Sequence, residues 1–139
     1  MSPVHEYQLS VPAAAIDGNG HANNVEYVRW MADAAKSHAN ACGGIEVAKR
    51  LGVAWVVRSH WIEYLRPLVE GERVVVRTWV ENFRRVASLR QYRFLCSERV
   101  VARGETKWVL VDLASGRLRS IPPELAACFG VCPDGRDAG

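Results

Sequence analysis

Asp17-Gly18-Asn19-Gly20-His21-Ala22-Asn23-Asn24 packs a carboxylate, an imidazole, two glycines and three side-chain amides into eight residues. An amphipathic run, Val25 to Ala41, follows at once. A carboxylate can act as a nucleophile or as a general base on water, and an imidazole or amide can orient it. Asn23 is a good N-cap, and Glu26, three residues on, has the spacing to reach back to the Asn23 N–H in a capping box. The helix is therefore predicted to start at Asn24. The first N–H groups of a helix lack intrahelical partners, and the macrodipole adds roughly half a positive charge there, so Asn24 N–H suits an anion or a developing oxyanion. Gly18 and Gly20 let the loop fold tightly onto that end.

The elements that must position this stretch follow from hydrophobic period. Val4 to Val11 alternates loosely and stops at Pro12, as a first strand would. In the helix, Val25, Val28, Ala32, Ala35 and Ala39 form one apolar stripe, and Tyr27, Met31, Ala34, His38 and Ala41 a second beside it, so a wide arc should be gripped by a sheet. Gly43-Gly44 is expected to end it. From Val53 the period becomes two, and strands are predicted over Trp55–Arg66, Arg73–Glu81, Val86–Cys96 and Val100–Leu113, antiparallel and as a meander. Val75 and Trp79 lie opposite the Val74 face, so the face away from the helix is expected to be covered in an oligomer. The pattern alone gives an α+β domain.

Two motifs carry a resemblance. Asp17, Gly20, Tyr27, Arg29 and Trp30 resemble the D-x-x-G-x6-Y-x-R-W pattern of hotdog-fold thioesterases of the 4-hydroxybenzoyl-CoA type. Asp17-x-Asn19-x-His21-x-Asn23-Asn24 is similar to the D-x-N-x-H-V-N-N motif of acyl-ACP thioesterases, with Ala22 in place of Val. Gly116 to Leu125 is similar to the arginine-then-I-P-x-E-L finish of the same group. The resemblance implies a single hotdog domain over residues 1–129, its long central helix wrapped by an antiparallel sheet of about five strands. It also implies a homodimer or homotetramer with active sites between subunits. The implied substrate is an acyl-CoA or acyl carrier protein, with coenzyme A or phosphopantetheine entering as part of it and no separate cofactor or metal. Asp17 would be nucleophile or base and Asn24 N–H the oxyanion donor, with His21 and Asn19 orienting water or Asp17. Asn23 and Tyr27 are expected beside the substrate, Asn23 mainly as cap and Tyr27 mainly as core. Phosphates of the thiol carrier need cations, for which Arg84, Arg85 and Arg117 are candidates.

Composition bounds the alternatives. The chain has 139 residues, 49% of them hydrophobic and 24% charged, and a formal net charge of +3, which fits one domain with a sizeable core. Its 18 Lys and Arg are spread over the strands, so no nucleic-acid surface is expected. No apolar run approaches the roughly 20 residues of a membrane span, and the start lacks a signal-peptide shape, so the expected compartment is the cytoplasm. Cys42, Cys96, Cys128 and Cys132 form no C-x-x-C pair and are read as free thiols. Residues 130–139, rich in Gly, Pro and Asp, read as a loosely held tail. Two rival functions share these residues. The D-x-N-P-x-H motif of hotdog enoyl-CoA hydratases resembles Asp17-x-Asn19 followed by His21, although the histidine comes one residue early and the proline is absent. A non-catalytic acyl-CoA sensor is the other.

Overall fold

The computed structural model of the protein describes residues 3–131. In chain order these are β1 (His5–Ser10), a single 3-10 turn (Ala13–Ala15), α1 (Asn24–Ala41), α2 (Gly44–Leu51), β2 (Val53–Tyr64), β3 (Arg73–Arg84), β4 (Ala87–Cys96), β5 (Arg99–Asp112) and α3 (Pro123–Phe129). The five strands form one antiparallel sheet in the order β1-β3-β4-β5-β2. β3, β4 and β5 do form a meander. β2 departs from that expectation: it crosses to the far edge and pairs with β5, not with its sequence neighbour β3.

One face of the sheet wraps α1, which spans roughly 27 Å at ~1.5 Å per residue. Tyr27, Trp30, Met31, Ala34, Ala35 and His38 are its buried residues. The stripe headed by Tyr27 is thus the one gripped, whereas Val25 is 59% exposed. Val74, Val76, Tyr92, Phe94 and Ala102 meet it from the strands. Gly104 lies so close to the helix that a Cβ there would sit 2.9 Å from Met31 Sδ.

Gly43 turns the chain with φ 83°, but the helical path resumes at Gly44, so the glycine pair separates two helices and does not end helical structure. A Cβ on Gly44 would sit 2.7 Å from Phe129 Cζ, which is how α3 packs over the junction. α3 itself begins at Pro123, where proline's missing N–H costs nothing in the first turn.

The sheet face away from α1 mixes the expected apolar side chains, Val75 and Trp79, with ion pairs. Arg77 pairs with Glu6 and Arg103 with Glu63, Gln91 bridges Glu81 and Glu105, and Arg93 lies over the Trp79 ring. Uncovered apolar surface continues along edge strand β2 and the loop after it, where Val56, Val57, Trp61, Tyr64, Leu65 and Val69 are exposed. Among the described residues, no helix is long and apolar enough to cross a membrane. Cys42, Cys96 and Cys128 are free thiols. Cys132 and all but the first two residues of the proposed 130–139 tail lie outside the described residues.

Candidate active site

The loop between β1 and α1 is a short antiparallel ribbon. Asp17 N–H donates to the His21 carbonyl at 2.8 Å, Ile16 and Ala22 form a β-bridge, and Asn23 N–H donates to the Ala15 carbonyl at 2.8 Å. Its tip closes through Gly20 N–H on the Asp17 carbonyl, 3.1 Å, with Gly20 at φ 79°, a conformation that glycine adopts without strain. The ribbon is tied to the loop after β2 by Ala22 N–H donating to the Leu68 carbonyl at 2.8 Å.

This fold fixes the Asp17 side chain. Oδ1 accepts the Asn19 N–H at 2.8 Å and the His21 N–H at 3.4 Å. Asn19 and His21 therefore do support Asp17, through backbone amides and not through their side chains, which are exposed. Oδ2 has no hydrogen bond among the described residues, so one carboxylate oxygen is held and the other is not.

The helix start is also as expected at its first residue. Asn23 Oδ1 accepts Val25 N–H at 3.0 Å, and the Asn23 carbonyl accepts Glu26 N–H at 2.9 Å. Asn24 N–H, between them, has no partner among the described residues and lies at the exposed, positive end of α1. The capping box does not form. The Asn23 N–H is already satisfied by Ala15, so Glu26 has nothing to reach back to and instead pairs with Arg29 at 3.4 Å. Asp17 and Asn24 lie on the same strand-turn-helix unit, separated by about three residues of ribbon, or roughly 10 Å of backbone.

Tyr64, at the end of β2, is a site residue that sequence reasoning missed. Its hydroxyl donates to the Asn24 carbonyl at 3.0 Å, and its ring meets Tyr27 edge-on at 5.0 Å. Tyr27 is 3% exposed and packs also on Trp30 and Phe94. Burial, reinforced by Tyr64 and Glu72, pushes its phenol up to about 12, so it stays neutral and serves as the platform beneath the helix start. Only the strand register places Tyr64 here, and no spacing in the sequence announces it.

The arginine candidates are not at this site within one chain. Asp17 follows the end of β1, beside the start of β3, whereas Arg84 and Arg85 lie at the opposite end of β3, about eleven residues or roughly 36 Å along the strand. Arg117 joins them there, its carbonyl accepting the Asp112 N–H at the end of β5. Cations at the Asp17 end include Arg66, exposed between Tyr64 and Leu68, and Arg73, exposed at the start of β3.

Comparison with known proteins agrees with this architecture. The thioesterase-like superfamily profile matches residues 11–129. Among solved structures, a hypothetical protein from Aquifex aeolicus superposes with a TM-score of 0.83 at 22% identity, covering 90% of this chain and 98% of that one. A 1,4-dihydroxy-2-naphthoyl-CoA thioesterase from Synechocystis gives 0.81 at 18% identity, over 91% of this chain and 95% of the other. A 4-hydroxybenzoyl-CoA thioesterase variant in complex with 4-hydroxybenzoyl-CoA gives 0.82 at 15% identity, over 93% and 100%. At these identities the superpositions establish a shared fold, the hotdog arrangement of a central helix in a five-stranded sheet. No curated protein matches significantly by sequence.

Proposed function

This chain belongs to the thioesterase-like superfamily, and we propose that it hydrolyses an acyl thioester, of coenzyme A or of an acyl carrier protein, to a free acid and a thiol. The observation that carries this reading is a carboxylate with one oxygen fixed and one free, on the same unit as an unoccupied helix-start N–H. Asp17 Oδ2 either adds to the thioester carbonyl carbon or takes a proton from the water that does so. In both routes the carbonyl π electrons move to oxygen, and the oxyanion is received by Asn24 N–H with the α1 dipole behind it. One such preorganised donor can be worth roughly 3 to 4 kcal/mol. Collapse of the tetrahedral species expels the thiolate. In the nucleophilic route, water then cleaves the mixed anhydride and restores Asp17.

The supporting residues divide by what they touch. Asn19 and His21 hold Asp17 through their amides, and their exposed side chains are placed to hydrogen-bond the attacking water. The Asn23 carbonyl, which shares a peptide plane with Asn24 N–H, is held by Glu26 N–H and keeps that donor in one direction, and Tyr64 on its Tyr27 platform pins the next peptide through the Asn24 carbonyl. Arg66 and Arg73 are the cations within the chain that can meet carrier phosphates, and Arg84, Arg85 and Arg117 can serve only from a second copy. The unpaired β2 edge with its exposed Val56, Val57 and Trp61 supports such a homo-oligomer.

A panel of acyl-CoA thioesters with free-thiol detection tests the assignment. Aromatic acyl groups belong in it, because two superposed enzymes are named for them. Thiol release well above the spontaneous rate is expected for at least one member. Hydration of a trans-2-enoyl-CoA without thiol release would replace this reading with that of a hydratase, and binding without turnover across the panel with that of a sensor.

A further inference from the structure

Arg90 is 4% exposed, yet no carboxylate pairs with it among the described residues. Both hydrogen bonds of its side chain leave from Nη1, one to His38 Nδ1 at 2.9 Å and one to Thr78 Oγ1 at 3.0 Å. Neither partner carries negative charge. Thr78 spends its own proton on the Gln91 carbonyl, and His38 must present an unprotonated Nδ1 to accept from Arg90. Burial, with the Arg90 charge next to it, holds the His38 imidazole down at about 3, so it is neutral in ordinary buffers. Phe129 covers one side of the guanidinium, 5.6 Å from its centroid. A guanidinium stays protonated at any ordinary pH, and a buried charge with no counter-ion is costly. Nε and Nη2 have no hydrogen bond among the described residues.

Arg90 lines a cavity of about 160 Å³ beneath the C-terminal half of α1. Its walls are aromatic and aliphatic, chiefly Trp55, Phe83, Trp108 and Phe129, with Ala35 and Ala39 as its helical side. Ser88, 4% exposed, adds a buried hydroxyl, and exposed Lys36 stands at the margin. The buried Trp108 indole N–H lies against the Tyr92 hydroxyl. An apolar cavity of about 150 Å³ is known to hold benzene, so the space is that of one ring.

We propose that this slot is a second ligand site, distinct from the Asp17 site, which binds a ring-sized apolar carboxylate with Arg90 as its counter-ion. Its separation from the Asp17 loop follows from the helix. Ala32, the nearest lining residue of α1, is eight residues beyond Asn24 and Ala39 is fifteen, roughly 12 to 22 Å along the axis. No residue from 11 to 31 lines it. A one-ring acyl group whose carbonyl lay at Asn24 N–H would not reach Arg90, so the ligand is a free acid and the site does not depend on the thioesterase reading.

Benzoate supplies ring and charge together, toluene the ring alone and acetate the charge alone. Titration of the native protein is followed by fluorescence of Trp55 and Trp108 and by calorimetry. Benzoate is expected to saturate, with toluene and acetate each at least about tenfold weaker, the usual scale of one charged hydrogen bond. Arg90→Met should weaken benzoate at least about tenfold and bring it level with toluene. Ala35→Leu, which fills the slot and leaves Arg90 in place, should abolish benzoate binding with the circular dichroism unchanged, and it serves if the Arg90 variant does not fold. Failure to saturate by about 10 mM benzoate, weaker than any useful affinity, would overturn the proposal. So would equal binding of toluene, or benzoate binding unaffected in the folded Ala35→Leu protein.

Discussion

Asp17→Asn separates the chemistry of the carboxylate from its place in the loop. Asparagine keeps an Oδ1 that can accept the Asn19 N–H at 2.8 Å and the His21 N–H at 3.4 Å, so the ribbon should close as before. What is lost locally is the charge assistance on one good bond and one long one. A charged hydrogen bond is worth about 1.5 to 3 kcal/mol and a neutral one about half that, so about 1 kcal/mol of stability should go. For a domain of this size that lowers the melting temperature by about 2 to 4 °C. The catalytic loss should be far larger. An amide is neither base nor nucleophile at Oδ2, and removing that role costs about a hundredfold to ten-thousandfold, which is roughly 2.7 to 5.4 kcal/mol at 1.36 kcal/mol per decade. The assay is free-thiol release at saturating acyl-CoA, with thermal unfolding on the same preparations. Turnover within about threefold of native, in a variant as stable as predicted, would refute the role assigned to Asp17.

Other expectations follow from single contacts. Asn23→Ala removes the cap on Val25 N–H and should cost about 1 kcal/mol, read as a fall of about 2 to 4 °C in melting temperature. Gly104→Ala places a Cβ against Met31 Sδ, itself fully buried, and should destabilise by about 1 to 3 kcal/mol in urea unfolding. Tyr64→Phe frees the Asn24 carbonyl; kcat/KM should fall by a few-fold to tenfold, matching one hydrogen bond of about 0.5 to 1.5 kcal/mol, with little change in the fold by circular dichroism. His38 binds its proton only near pH 3 when folded, against about 6.5 when unfolded. The unfolded chain therefore takes up the extra proton as pH falls from about 6.5 towards 3, and stability should decline across that window, by at most about 1.4 kcal/mol per unit. His38→Gln should flatten that part of the pH profile measured by denaturant unfolding.

The sequence was most legible where the signal is local. The 3.6 period of α1, the cap at Asn23 and the alternation from Val53 onward each depend on neighbours within one element, and each element appears within a few residues of its expected bounds. Long-range choices were hidden. Nothing local says that β2 should pair with β5 and not with β3. That Arg84, Arg85 and Arg117 lie, within one chain, at the other end of the sheet from Asp17 follows only from the register. The capping box failed because a tertiary acceptor, the Ala15 carbonyl, took the Asn23 N–H first. α2 was missed because Gly43-Gly44 reads as a stop, whereas here it opens a new helix, and the seven residues of α3 are too few to show a helical period. Arg90 did leave a trace. In Ser88-x-Arg90-x-Tyr92-x-Phe94 the alternation puts the charge on the same face as two aromatic core residues, and that conflict could have marked it.

The crossing of β2 to the far edge also orders events in time. β3, β4 and β5 are joined by tight turns and can zip in succession, but β2 first meets β5 at Tyr64 and Ala102, a closure of 38 residues, and β1 first meets β3 at Ser10 and Arg73, a closure of 63. Closing such long loops before any reward is slow, so β2 and β1 should dock onto a meander already formed. Tyr64 and Leu68, which clamp the start of α1 and the Asp17 ribbon, sit at the end of β2 and just beyond it. The Asp17 loop is therefore fastened by strands that join after the meander, and in a refolding experiment activity should return later than the first sheet signal. Synthesis in the cell imposes the same sequence, because β2 leaves the ribosome well before the strand it needs.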